Sequence, residues 1–169
     1  CDENGYNESP KYFFVNRQEV DITNQDSIEN FVKEHNIDVI VNCAAYTNVE
    51  KAEEDYDTAL EVNYGGVCKL VSVCKKYDIY LIHISTDYVF NGRRHRPYKE
   101  SSECDPLNKY GTTTEYVLVP IVLNAVYKSA TVIKLTTDVS LIKVINSLPR
   151  VGKIFLIACG ITILIIVIG

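Results

Sequence analysis

The chain has no methionine, no Cys-x-x-Cys pair and no basic block, and its last sixteen residues carry no charged side chain. Each absence narrows the reading. With no methionine and a polar opening, CDENGYNESP, the amino terminus reads as truncated or processed, and no signal peptide is expected. Cys1, Cys43, Cys68, Cys74, Cys104 and Cys159 follow no regular framework. Reduced thiols in a cytoplasmic protein are therefore expected, not disulfides. His35, His83 and His95 are scattered, no ligand spacing joins them, and no metal is expected. A net charge of −5 without an Arg-rich helix argues against a nucleic-acid partner.

What remains is long enough for one domain with its own core. Residues 12–15 are aromatic and β-branched, a short strand. Asp21, Ile22, Thr23 and Asn24 bring capping side chains, and Ile28, Phe31 and Val32 follow at helical spacing, predicting a helix that ends near His35 and Asn36. Residues 37–41 form a continuous apolar run, the pattern of a strand buried on both faces. A loop of small residues follows at 42–47. An acidic stretch then leads into a long helix over 57–76, with Leu60, Asn63, Val67, Leu70, Val71 and Cys74 on its inner face. Gly65 and Gly66 inside it cost about 1 kcal/mol each against alanine, which points to close packing or to backbone approaching a ligand. Residues 79–84 are the next buried strand.

Strand, helix, strand, helix, strand with short links predicts an α/β fold with a parallel sheet and helices on its faces. Ligands bind such sheets beyond the carboxyl ends of the strands. Two such ends carry chemistry here: Ala44-Ala45-Tyr46-Thr47, and the hydroxyl pair Ser85-Thr86.

The stretches DITNQDSIENFVKEHNIDVIVNCAAYTNVEKAEED, LIHISTDYVFNG, PYKE and PLNKYG resemble the dTDP-4-dehydrorhamnose reductase family of extended short-chain dehydrogenase/reductases. The resemblance runs over residues 12–113. It implies a Rossmann-like, doubly wound parallel sheet, NADPH (or NADH) as cofactor, and reduction of the C4 ketone of a dTDP-linked deoxysugar in dTDP-L-rhamnose supply. By the same resemblance Thr86 is the hydroxyl that bonds the substrate, and Tyr110 the general acid that protonates the new alkoxide. Ala44, Ala45, Tyr46 and Thr47 match the loop under the cofactor, with Asn63 beside it. Asp21 and Ile22 match positions beside the adenine, although Asp21 equally suits helix initiation, and Arg17 could reach a 2′-phosphate, although an exposed arginine after a strand is usually just solvated. Ser85, Tyr88, Val89 and Phe90 match the sugar pocket, although Val89 and Phe90 equally suit core packing. The resemblance leaves room for a homodimer.

The pattern breaks in two places. The family's lysine, four residues after the tyrosine, is Thr114 here. That lysine lends its charge to a phenol that titrates near ~10 when free. No strand with a Gly-rich turn precedes Tyr12, and that unit both cradles the pyrophosphate and supplies the central strand in the order 3-2-1-4-5-6. The expectation is a partial domain over 1–114 with impaired activity, unable to close its sheet unless in a new way. After it comes a divergent apolar segment, 115–169. Its last residues, 151–169, follow Arg150 and hold one charge, Lys153. Being close to the ~20 residues of a spanning helix, they predict a membrane helix and membrane contact, although their isoleucines equally suit strands. A non-catalytic regulatory module, or a chimeric chain with a membrane-protein tail, are the other readings.

Overall fold

The computed structural model describes residues 11–98 and 102–117 and the backbone of three further strands, Ala130–Ile133, Lys153–Ile157 and Leu164–Ile168. The first strand, β1 (Lys11–Val15), is followed by helix α1 (Gln25–His35). Asn24 caps α1: its side-chain oxygen accepts the backbone N–H groups of Asp26 and Ser27, and Asn36 ends the helix in the left-handed conformation. Strand β2 (Val39–Asn42) leads to two short helices, α2 (Val49–Glu54) and α3 (Tyr56–Leu60). The long helix expected over 57–76 is present but not uniform. A π-helical turn, Glu61–Gly65, separates α3 from α4 (Gly66–Tyr77). Strand β3 (Tyr80–Ser85) then runs into a single 3₁₀ turn, Asp87–Val89, and helix α5 (Lys109–Glu115) carries the tyrosine.

Strands β4 (Ala130–Ile133), β5 (Lys153–Ile157) and β6 (Leu164–Ile168) join the same sheet, in the order β1-β5-β2-β3-β6-β4. β1, β5, β2 and β3 are parallel; β6 is antiparallel to β3 and to β4. Two points differ from expectation here. Within 151–169, Lys153–Ile157 and Leu164–Ile168 are strands, and among the described residues no helix is long and apolar enough to cross a membrane. The isoleucine-rich run suits a pleated surface through its β-branched side chains, and a sheet gap is where such a run finds backbone partners. That gap is the second point. β5 lies between β1 and β2, with Phe155 opposite Phe13 on one side and Ile40 on the other. This is the central place that the topology reserves for a first strand, so the sheet closes in the new way the sequence required.

The main core lies between the sheet and the pair α1 and α4, built from Val20, Ile22, Ile28, Val32, Val67, Leu70 and Val73 against Ile40 and Leu81. Val39, Ile40 and Val41 are all fully buried, as an interior parallel strand demands. At the rim of α1, Glu29 takes hydrogen bonds from Lys76 Nζ (2.8 Å), Tyr77 Oη (2.7 Å) and Gln25 Nε2 (3.0 Å), tying α1 to α4.

Candidate active site

The site grows from the carboxyl ends of β2 and β3. Asn42 and His83 stand opposite each other in register. The Asn42 side-chain oxygen accepts the Ala44 N–H (3.0 Å), which turns its NH₂ toward His83 and makes it the donor to Nδ1 (3.0 Å). The neutral ring therefore carries its proton on Nε2. Burial pushes the His83 pKa down to about 4, so the ring is uncharged at neutral pH. This pair sets the turn into the loop Ala44-Ala45-Tyr46-Thr47.

A second asparagine fixes the far end of that loop. Asn63, buried on the π-helical turn, accepts the Tyr46 N–H (2.7 Å) and donates to the Tyr46 carbonyl (3.3 Å) and to Thr113 Oγ1 (3.0 Å). One side chain thus joins the loop to α5. The extra residue of a π turn re-aims side chains and is frequent at functional sites; here it carries the residue that faces the loop. Gly66 lets the helix close down, because a Cβ there would meet the Ile22 side chain at 2.9 Å.

Helix α5 begins at Asn108, whose side chain accepts the Gly111 N–H (2.8 Å). Gly111 presses against the Tyr88 carbonyl, where a Cβ would overlap the backbone oxygen. This contact seats Tyr110 beside the 3₁₀ turn: the Tyr88 and Tyr110 rings meet edge to face at 5.5 Å. Tyr110 also packs with Ala52 and Ala59 and is only 8% exposed. Thr86 caps the 3₁₀ turn, its Oγ1 accepting the Tyr88 N–H (3.3 Å) and facing Asp87 (3.4 Å). The Ser85 hydroxyl is buried and has no hydrogen-bond partner among the described residues.

The positions expected to act on a ligand separate into groups. Ala44, Ala45, Tyr46, Thr47 and Asn63 form one connected wall. Ser85, Thr86, Tyr88 and Tyr110 come together at the end of β3. Val89 is fully buried, and Phe90 stacks on Tyr98 at 4.2 Å, in the following loop. Asp21 accepts the Thr23 N–H and hydroxyl (2.9 and 2.7 Å), which lowers its pKa, and Arg17 lies 3.8 Å away. Ile22 is in the core.

Thr114 turns its hydroxyl back to the Tyr110 carbonyl (3.0 Å), a helix-internal bond. Lys109 is committed elsewhere: its Nζ donates to the Glu53 carbonyl (2.6 Å) and its N–H to the Glu53 carboxylate (2.8 Å). Neither serves as the charge beside Tyr110. Lys128 lies outside the described residues. Sequence reading had not singled out Asn42, Asn108 or Thr113. An Asn ending a buried strand, and one two residues before the tyrosine, were the available signals.

The RmlD substrate binding domain family pattern matches residues 3–132. A dTDP-4-keto-6-deoxy-D-glucose reductase of Streptomyces niveus is 45% identical over 101 residues, 60% of this chain and 35% of that protein. The dTDP-4-dehydrorhamnose reductase of Mycolicibacterium smegmatis is 48% identical over 55% of this chain and 28% of its own length. The crystal structure of a Bacillus anthracis dTDP-4-dehydrorhamnose reductase in complex with NADP superposes with a TM-score of 0.64 at 25% identity, over 70% of this chain and 51% of that one. The chain spans about a third of the length of the curated relatives it matches.

Proposed function

Since the chain belongs to the RmlD substrate binding domain family, we propose that it is part of a dTDP-4-dehydrorhamnose reductase. It reduces the C4 ketone of a dTDP-linked deoxysugar with NADPH (or NADH), with activity impaired by Thr114. The observation that carries this reading is the Asn63 bridge. It holds the loop 44–47 against α5, so that the wall for a dinucleotide and the helix bearing Tyr110 are one unit.

The residues present fit the nicotinamide end of such a cofactor. The loop residues Ala44, Ala45 and Tyr46 are half-buried and Thr47 is exposed, and the Ser85 hydroxyl is buried and unpartnered among the described residues, a donor and acceptor that a ligand would satisfy. Ala44, Ala45, Tyr46, Thr47 and Asn63 would hold the nicotinamide side, and Asp21 and Ile22 the adenine side. A Gly-rich cradle for the pyrophosphate is not among the described residues. NADPH supplies the hydride when bound. Thr86 and Ser85 orient the ketone, Tyr88 and Phe90 flank the sugar ring with Val89 beneath them, and Tyr110 Oη delivers the proton to the developing alkoxide. Without the lysine, proton transfer is slowed by about 10²–10⁴, the range for a general acid–base contribution.

The test is NADPH oxidation with the dTDP-4-dehydro sugar, followed by nicotinamide absorbance, in the parent and in Tyr110→Phe. Slow oxidation that the phenylalanine variant abolishes supports the reading. Equal rates in the two overturn it. NADPH binding with no turnover in either would favour the non-catalytic module, a reading that Thr114 also suits.

A further inference from the structure

Between the 3₁₀ turn and α5 the chain makes an excursion that the proposed chemistry does not use. It leaves at Phe90 and returns to the same point at Asp105, whose N–H donates to the Val89 carbonyl (2.9 Å). Asn91 staples the base. Its NH₂ donates to Asp105 (2.7 Å), and its side-chain oxygen accepts from the Arg93 N–H (3.0 Å) and from Tyr98 Oη (2.9 Å). Gly92 makes the turn at φ +69°. Compact loops with close ends are frequently functional.

What the loop presents is cationic. Arg93, Arg94, His95 and Arg96 follow one another in a chain whose net charge is −5. Among the described residues none of these arginines is ion-paired. Arg94 is held in place: its guanidinium lies over the Tyr98 ring at 5.6 Å, Tyr98 is backed by Phe90, and Nη1 donates to Ser102 (3.1 Å). A hollow of about 860 Å³ is lined, among the described residues, by Arg94, His95, Arg96, Pro97 and Tyr98, none of them acidic. Arg93 and Arg94 also line the neighbouring hollow, together with Glu103 and Asp105, and Asp105 is already bound by Asn91. An aromatic-backed guanidinium with free N–H donors is a preorganised partner for phosphate oxygens.

We infer that this loop grips the diphosphate of the sugar nucleotide through Arg94 and Arg96. The inference rests on the reductase reading above. The loop is rooted directly after Tyr88 and returns to Asn108, the cap of the helix bearing Tyr110. A sugar seated against that tyrosine pair would have the base of the loop beside it, where the Asp105 N–H meets the Val89 carbonyl. The arginines select for the charged linkage, and the tyrosines for the sugar.

The test is calorimetric binding of dTDP, thymidine and NADPH to the full chain and to an Arg94→Gln/Arg96→Gln double variant. Both side chains are exposed, so the variant folds as the parent does, which circular dichroism checks. The parent is expected to bind dTDP at least ~10-fold more tightly than thymidine, a margin that shrinks with added salt. The double variant loses that margin, with thymidine and NADPH affinities unchanged. Equal dTDP affinity in parent and variant, or thymidine bound by the parent as tightly as dTDP, overturns the inference and leaves the reductase reading standing. Failure of NADPH to bind the parent would sink the reductase reading instead.

Discussion

Asn42 and His83 face each other across two buried strands, and their hydrogen bond has a pH signature. The folded ring resists protonation until about pH 4, whereas an unfolded histidine takes its proton near ~6.5. Between those values the unfolded chain binds more protons than the folded one. Stability therefore falls as pH drops through that window and is intact above it. At ~1.4 kcal/mol per pH unit the loss is roughly 3 kcal/mol. His83→Gln keeps an acceptor for Asn42 and removes the titration. Urea unfolding at about pH 7 and about pH 4.5 should show a steep loss in the parent and a flatter one in the variant. Equal losses would mean that His83 is not held neutral by the fold. Part of this candidate site stood out beforehand: the small residues at 44–47 and the hydroxyl pair by residue identity, and Tyr110, one of twelve tyrosines, only through the family resemblance. The Asn63 bridge did not, because it depends on a π-helical turn that no periodicity rule registers.

At the level of elements, the register of α1 against α4 is set by a carboxylate. Hydrogen bonds from Lys76, Gln25 and Tyr77 hold the Glu29 pKa down to about 2, from an ordinary value of 4.5. The sign is the same as for His83, but the cause differs: hydrogen bonds favour the charged carboxylate, whereas burial disfavours the charged imidazole. Stability from Glu29 is fully present above about pH 4.5 and is lost as pH falls toward 2, where the folded carboxylate protonates. Glu29→Gln should lower the melting temperature at neutral pH, and the gap to the parent should close as pH approaches 2. A gap that persists undiminished in acid would assign the loss to packing, not charge. β1, α1, β2, the helix ending in α4 and β3 were legible because each has local cause: Asn24 caps α1, and β2 and β3 are short apolar runs between turns. α2, capped by Asn48, was read only as an acidic stretch leading into the long helix. The break between α3 and α4 falls at a run without proline, where the two glycines were the only warning.

For the whole molecule the decisive strand is β5, far along the chain from the motifs. A run such as 154–169 is apolar at every phase, so its pattern fits a membrane helix and a buried strand alike. Only the gap between β1 and β2 distinguishes them, and a gap is a property of the assembled sheet, not of the run. With β5 in place, the facing edges of both neighbours find partners. Without it, buried backbone groups would go unpaired at about 1–3 kcal/mol each, against a total stability of only about 5–15 kcal/mol. Proline separates an interior strand from an edge one, since it removes an N–H and clashes within a ladder. Phe155→Pro strikes the middle of β5, and Lys11→Pro the first residue of the edge strand β1. The interior change should cost about 3 kcal/mol or more, lowering the melting temperature by roughly 6–12 °C in a chain of this size, and should broaden or abolish the cooperative transition. The edge change should be nearly silent. Should Phe155→Pro melt with the parent, β5 would not be the strand that completes the sheet. The loop at the carboxyl end of β2 would then have to be held by the Asn42, His83 and Asn63 bonds alone.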